Sequence, residues 1–443
     1  MNEFSPEIQA LKGEKALSHR IIRGLEKFTG GKIKSEKPGY PIIAGGSLQE
    51  ALRTPEPTEA RGGLRTYVRF DLSKYISIVN SIFATNIPED AAKGSNKVWR
   101  GFSGYTELAY LRSQFRLWGT DLNLALGRDY LQFGPGYRGN LLFGSTSRPF
   151  DHYKISARYR NLQFIFGGIQ LNNHGDIARY VTFHRLTWFA RSNLTLSVNE
   201  ALLYVGDSQP VDWRYLNPFL LYHGEQLNST GTPGNTLGTI DFSWYPSNSW
   251  HLWGELLIDD IQLDNKKKAD LEPNEIGVIA GAGKTAFPFN GGELWLEYSA
   301  VTNRTYQTLN PDEYFLHRGY PVAHEHGNDF DNFTFYYGQW LPGGTFKPFI
   351  ELSYLRNGAN GLETPFDTPW GDSTVTVEEG YEEPFPTKPI TYNTTLDLGV
   401  RYQPNYTFGL TPSISFRREE FQGVVESGWL LRLELWYNPR WKF

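Results

Sequence analysis

The chain has 443 residues and a formal net charge of −5, with 43 basic against 48 acidic side chains. Mean hydropathy is −0.46 and no run of about 18 apolar residues occurs, which excludes helical membrane spans. The charge is dispersed and near neutral, which gives no support for a nucleic-acid partner, and the absence of cysteine excludes disulfides and thiolate metal sites.

Aromatic residues are in surplus: 13 Trp, 26 Tyr and 29 Phe. Aromatic girdles at two membrane interfaces would use such a surplus, and so would a carbohydrate-binding surface. A chain without thiols also suits passage through an oxidising periplasm in an unfolded state. The opening residues, MNEFSPEIQALKGEK, lack the apolar core of a signal peptide, so the precursor's signal is expected to be absent from this chain.

Residues 1–62 read as a short N-terminal helical segment. Ser5-Pro6-Glu7 is an N-cap, a first-turn proline and an acid at the positive end of the dipole. Ile8, Leu11, Leu17, Ile21, Leu25 and Phe28 recur at roughly helical spacing until Gly30-Gly31. Ser47-Leu48-Gln49-Glu50 has the capping-box pattern and predicts a second short helix toward Leu52, ended by Pro55 and Pro57.

From Gly63 the period changes to two. Leu64, Thr66, Val68, Phe70 and Leu72 alternate with Arg65, Tyr67, Arg69 and Asp71. Similar alternation runs through 292–301, 350–354 and 395–402, and further strand-like runs bring the expected total to about 16–18 strands. Short turns at Arg160-Asn161, Pro246-Ser247-Asn248, Pro288-Phe289-Asn290-Gly291 and Gly343-Gly344 close some pairs. The long polar stretches 206–236, 260–275, 302–329 and 356–392 separate others. Short turns at one end and long loops at the other describe a membrane barrel with its long loops outside the cell.

The final strand is the strongest signal. Trp429, Leu431, Leu433, Leu435 and Tyr437 form one face; Arg432, Glu434, Trp436 and Asn438 form the other and are expected to face the lumen. The expected fold is therefore all-β, a transmembrane antiparallel β-barrel spanning 63–443, in the bacterial outer membrane. A soluble sandwich or propeller would also alternate, but a soluble core does not need so many strands of about 10 residues with aromatic ends, and the absence of a fixed repeat argues against a propeller.

Two segments are candidate ligand sites. The run 127–144 holds five glycines and a proline around Gly134-Pro135-Gly136. It reads as a constriction or cradle with Arg128, Asp129, Tyr137 and Arg138 facing the lumen, or as a tight bend in the wall. The run 211–228 crowds Trp213, Tyr215, Phe219 and Tyr222 beside Arg214, His223 and Glu225. Aromatic faces beside hydrogen-bonding groups suit sugar rings, and the alternative is a folded outer loop with its own small core.

No catalytic, cofactor or metal site is expected. His324-Glu325-His326 lacks the spacing of a helical zinc site and reads as a polar loop. No GxSxG occurs, and Gly281-Ala282-Gly283-Lys284 lacks the phosphate-loop pattern. Inward carboxylates such as Glu293, Glu297 and Glu351 are ordinary for a lumen.

The runs GRDYLQFGPGYRGNLLFGSTSRPFDH and NEALLYVGDSQPVDWRYLNPFLLYHGEQLN resemble the Wzi-type capsule-assembly proteins, and more specifically their Bacteroidetes-like members, over most of the chain from about residue 60. The resemblance implies an eighteen-stranded barrel with helices at its periplasmic mouth and a lumen closed by helices below and loops above. It implies a non-enzymatic lectin that anchors surface (capsular) polysaccharide. Expected partners are that polysaccharide, outer-membrane lipid and lipopolysaccharide, and other outer-membrane proteins. The competing readings are an oligosaccharide channel and a structural subunit of a larger outer-membrane complex.

Overall fold

A computed structural model describes residues 42–54, 60–86, 98–144, 146–207, 212–228, 234–261, 271–371, 381, 383–405, 407–437 and 440–441. Its wall consists of eighteen strands in chain order. These are β1 (Ile42–Thr54), β2 (Ala60–Asp71), β3 (Ile76–Thr85), β4 (Phe102–Leu117), β5 (Thr120–Asp129) and β6 (Phe150–Tyr159). They continue with β7 (Leu162–Gln170), β8 (Ile177–Arg191), β9 (Leu194–Asp207), β10 (Asn235–Trp244), β11 (Trp250–Asp260) and β12 (Glu275–Thr285). The last six are β13 (Gly292–Val301), β14 (Phe330–Gln339), β15 (Phe346–Asn357), β16 (Thr391–Tyr402), β17 (Phe408–Phe421) and β18 (Val424–Tyr437).

Each strand pairs antiparallel with the next, and β1 also pairs with β18, Gly46 opposite Tyr437 and Thr54 opposite Trp429. The ring is therefore closed, which leaves no edge with unpaired backbone groups in lipid. The expected strand count is met at its upper limit.

Sequence alternation sorts the two faces. Leu64, Leu126, Ile155, Leu186, Val198, Ile240, Leu256 and Leu431 are all exposed on the outside. Such a belt of bare apolar side chains fits acyl chains and no aqueous surface. The inner face carries buried polar groups, among them Glu107, Asn199, Asp241, Glu255, Glu297 and Lys347. Arg185 pairs with Asp241 across it at 2.7 Å.

The expected short turns close β6–β7, β10–β11, β12–β13 and β14–β15 at one end. Two-residue turns with positive φ serve others, as at Trp118-Gly119 between β4 and β5. The long connections lie at the opposite end, the outer side in this architecture.

The second predicted helix is a strand instead. Residues 42–62, expected in the helical segment, supply β1 and the start of β2. The capping box is a local signal, whereas β2 and β18 each have an edge that needs a partner; long-range pairing overrides the local preference. The first predicted helix lies outside the described residues.

Candidate functional site: a lumenal plug and an outer crown

The largest core cluster sits inside the barrel. The β5–β6 connection, 130–149, turns inward and brings Leu131, Phe133, Leu141, Leu142 and Phe143 against inward wall residues such as Phe183, Leu203, Leu257 and Val301. Phe315, Val322 and Ala323 of the β13–β14 connection pack onto them from the outer side. Leu141, Leu142 and Phe143 are completely buried, each contributing on the order of 1.5–3 kcal/mol by removal from water.

Polar anchors fix this plug to the wall. Glu297 of β13 accepts from the Tyr137 backbone N–H at 2.7 Å, the Arg138 N–H at 2.8 Å and the Trp253 indole N–H at 2.6 Å. Glu255 of β11 accepts from the Leu141 N–H at 3.1 Å. Tyr130 donates to Glu107 of β4 at 2.8 Å, while Arg138 forms an ion pair with Glu351 of β15. The plug thus reaches across the lumen from β4 to β15.

Tyr137 and Arg138 are lumenal. The Tyr137 ring stacks on Trp253 with centroids 4.3 Å apart, and its hydroxyl meets His251 Nδ1 at 3.0 Å. Asp129 also faces the lumen, on the side of Ala125. Arg128 departs from expectation: it follows Leu122, Leu124 and Leu126 on the outer face and pairs there with Asp151 at 2.9 Å through Nε. Strand parity decides this, because three lipid-facing leucines set the alternation that Arg128 continues.

Lumenal placement extends to Arg432, Glu434 and Trp436 of β18, since their cross-strand partners are Ser413, Thr411 and Gly409 on the inner face. The Trp436 ring covers Gly409, where an added Cβ would lie 2.3 Å from it. Asn438 lies outside the described residues.

The described part of the second candidate segment, 212–228, is folded rather than a free loop. A 3-10 turn, Trp213–Leu216, and helix α1, Tyr222–Asn228, lie on the outer surface of β8 and β9. Tyr215 and Tyr222 are 2% and 1% exposed, so neither offers an open ring face to a sugar. They pack with Leu202 and Tyr204, both at outward positions of β9. Arg214 is exposed and pairs with Asp212 at 2.7 Å, and its Nη1 lies 4.0 Å from Glu225. His223 Nδ1 meets Glu200 of β9 at 2.7 Å.

Among the loop histidines, His324 is completely buried and stacks near Phe330. Burial, with a smaller contribution from His326, holds its imidazole well below the ordinary pKa. Burial and then Arg417 bring His326 down to about 4. Both rings pack against Phe330, with centroids 4.7 and 5.2 Å from its own. No group of side chains suited to a metal ion occurs among the described residues.

A second aromatic surface, not singled out in the sequence, lies at the long-loop end. Within 358–390, Trp370 meets Phe366 and Tyr381, with ring centroids 6.2 and 6.0 Å away. Arg304 of the β13–β14 connection lies 4.8 Å from the Trp370 centroid. Its guanidinium donates to Asp367 Oδ1 at 2.6 Å and to Glu383 Oε2 at 2.8 Å. Burial opposes the charge on Arg304, but the Glu383 and Asp367 hydrogen bonds outweigh it and raise the pKa. The result is three partly exposed rings bordered by carboxylates. Pro365 and Pro369 beside Phe366 and Trp370 were the readable signal, since proline-stiffened aromatics are poorly explained as a plain polar linker.

Arg304→Ala is expected to destabilise this crown by roughly 1–3 kcal/mol, because two carboxylates lose their charged donor. Faster protease cleavage within 358–390 on intact cells, with unchanged barrel integrity, is the expected readout.

No curated protein matches this chain. Among solved structures, it is similar to Wzi of Escherichia coli, described as an outer-membrane carbohydrate-binding β-barrel involved in group 1 capsule assembly. That match has 13% identity, a TM-score of 0.60, and coverage of 95% of this chain and 87% of that one. It is also similar to OccD3 (OpdP) of Pseudomonas aeruginosa, at 10% identity and a TM-score of 0.51, with 91% of each chain covered. OpdK of the same organism, solved with vanillate, gives 11% identity and a TM-score of 0.51 over 91% of this chain and all of that one (100% coverage). These likenesses establish the fold. The family model for the capsule assembly protein Wzi matches residues 58–422, and the chain belongs to that family.

Proposed function

We propose that this protein is a non-enzymatic outer-membrane barrel that binds surface polysaccharide, capsular polysaccharide foremost, on its outer side. The observation that carries the reading is the crown of Phe366, Trp370 and Tyr381 beside Asp367 and Glu383. Sugar C–H faces stack on such rings while hydroxyls pair with neighbouring carboxylates. The carbohydrate binding described for the E. coli structure supports the same reading. A plug anchored from β4 to β15 favours retention of a chain at the surface over passage through the lumen. The sealed state of His324 favours binding over catalysis. In this proposal, lipopolysaccharide and other outer-membrane proteins are further partners.

Trp370→Ala is expected to weaken binding of purified capsular polysaccharide by roughly ten-fold, in keeping with the ~1–3 kcal/mol of an aromatic stacking contact. Titration against immobilised polysaccharide measures it. Equal affinity of parent and variant would remove the crown as the binding surface. Unchanged capsule retention in a gene deletion would sink the function itself.

A further inference from the structure

The outward row of β9 reads Leu196, Val198, Glu200, Leu202, Tyr204. Glu200 is therefore a carboxylate on the lipid side, seventh in a strand that starts at Leu194 and ends at Asp207. Beside it on β8 are outward His184, its cross-strand partner, and Thr182. The surroundings are apolar, with Val198, Leu186 and Ile240 all about half exposed. A bare polar notch at this depth would be costly in hydrocarbon.

The segment 212–228 covers the notch. Glu200 accepts from the Tyr222 and His223 backbone N–H groups, both at 2.9 Å. It also meets His223 Nδ1 at 2.7 Å and His184 Nε2 at 3.0 Å. Thr182 Oγ1 meets the Tyr222 hydroxyl at 2.9 Å and donates to the Tyr215 carbonyl at 3.0 Å. On its far side the segment turns apolar: Phe219 is 81% and Leu221 68% exposed. Phe219 also lies nearly parallel to outward-facing Phe164 of β7, with centroids 6.0 Å apart.

We propose that 212–228 is a membrane-seated hook that folds down the outside of the barrel, latches onto Glu200, and inserts Phe219 and Leu221 among the acyl chains of the outer leaflet. The partner is lipid. The hook restores an apolar exterior where the wall itself is polar, and it tethers the base of the β9–β10 loop at the membrane surface.

The chain has no cysteine, so a single introduced thiol carries a unique spin label. Full-length Phe219→Cys, reconstituted in phospholipid vesicles and labelled with a nitroxide, is compared with Leu126→Cys on the lipid-facing wall and Leu309→Cys, which is 76% exposed on an outer connection. Collision with oxygen reports lipid, and collision with a water-soluble nickel chelate reports solvent. The expected oxygen-to-nickel ratio at Phe219 matches Leu126 and is several-fold above Leu309. A ratio matching Leu309 overturns the proposal, and so does shielding from both probes, which signifies a protein contact. Adding Glu200→Ala, or His223→Ala where the former does not assemble, is expected to drop the ratio to the Leu309 level. A label unmoved by either change overturns the Glu200 latch.

Discussion

Bilayers carrying the Glu297→Ala variant are expected to show frequent, large conductance steps that the parent barrel does not. Glu297 is a single wall carboxylate receiving three donors: two consecutive backbone N–H groups of the plug and the indole of Trp253. Alanine removes the shared acceptor from all three; the Trp253 indole N–H is left buried, where an orphaned donor costs about 1–3 kcal/mol, and the two part-buried backbone N–H groups lose their tie to the wall. The combined loss is on the order of 3–5 kcal/mol, concentrated where the plug crosses the lumen. The wall is unaffected, because Glu297 contributes its backbone to β13 in either form. The barrel should keep its heat-resistant electrophoretic mobility while the plug opens. Glu297→Gln retains one acceptor oxygen and is expected to fall between the two. A silent Glu297→Ala barrel would show that the remaining anchors suffice.

The second large effect is steric. Gly144 donates its N–H to the Val322 carbonyl at 3.0 Å, bringing the plug and the β13–β14 connection into backbone contact. A Cβ at Gly144 would lie 1.9 Å from the Ala323 carbonyl oxygen. That neighbour is backbone, with no rotamer to relieve the overlap, so the two segments must separate. Gly144→Ala is expected to destabilise the plug by about 3 kcal/mol or more, at the upper end of overpacking costs. Faster hydrogen exchange confined to 130–149 and 313–330 would be its signature. Gly361→Ala offers a control: nothing lies within 4 Å of its Cβ position and its backbone is not left-handed, so the plug should be untouched.

Much of the wall was readable because lipid and lumen impose opposite demands on alternate residues. β18 shows this plainly, with Trp429, Leu431 and Leu433 on one side and Arg432 and Glu434 on the other. β1 was not readable: IIAGGSLQEALRT has no clean alternation, and its Ser-Leu-Gln-Glu imitates a helix start. Only the need to close the ring explains it.

The plug was visible as a glycine-rich oddity, but its anchors were not. Glu297 lies 160 positions from Tyr137, and nothing local separates it from any other lumenal carboxylate. The aromatic run near Tyr222 was visible too, and of its two readings the small packed core is the one that Tyr215 and Tyr222 join. The missing clue was Glu200, a carboxylate at outward parity within Val198, Leu202 and Tyr204. A charge on the lipid face implies a cover, and the nearest following loop supplies it. Phe366 and Trp370 were passed over because acidic neighbours made their loop look merely polar.

The seam between β1 and β18 has a consequence for assembly. It joins residues near opposite termini, Ser47 opposite Trp436, so no part of the cylinder can seal until the last strand has been delivered. Until then β18 and β1 each present a row of unpaired backbone groups, and hydrocarbon tolerates neither. Whatever escorts the chain into the membrane must shield both borders and release them together, like a zip fastener closed at its final tooth. The lumenal segment can dock its N–H groups on Glu297 only when β5 and β13 have taken their places in the ring. The connectivity thereby makes docking of the stopper wait on β13, whether or not the β1–β18 seam has closed.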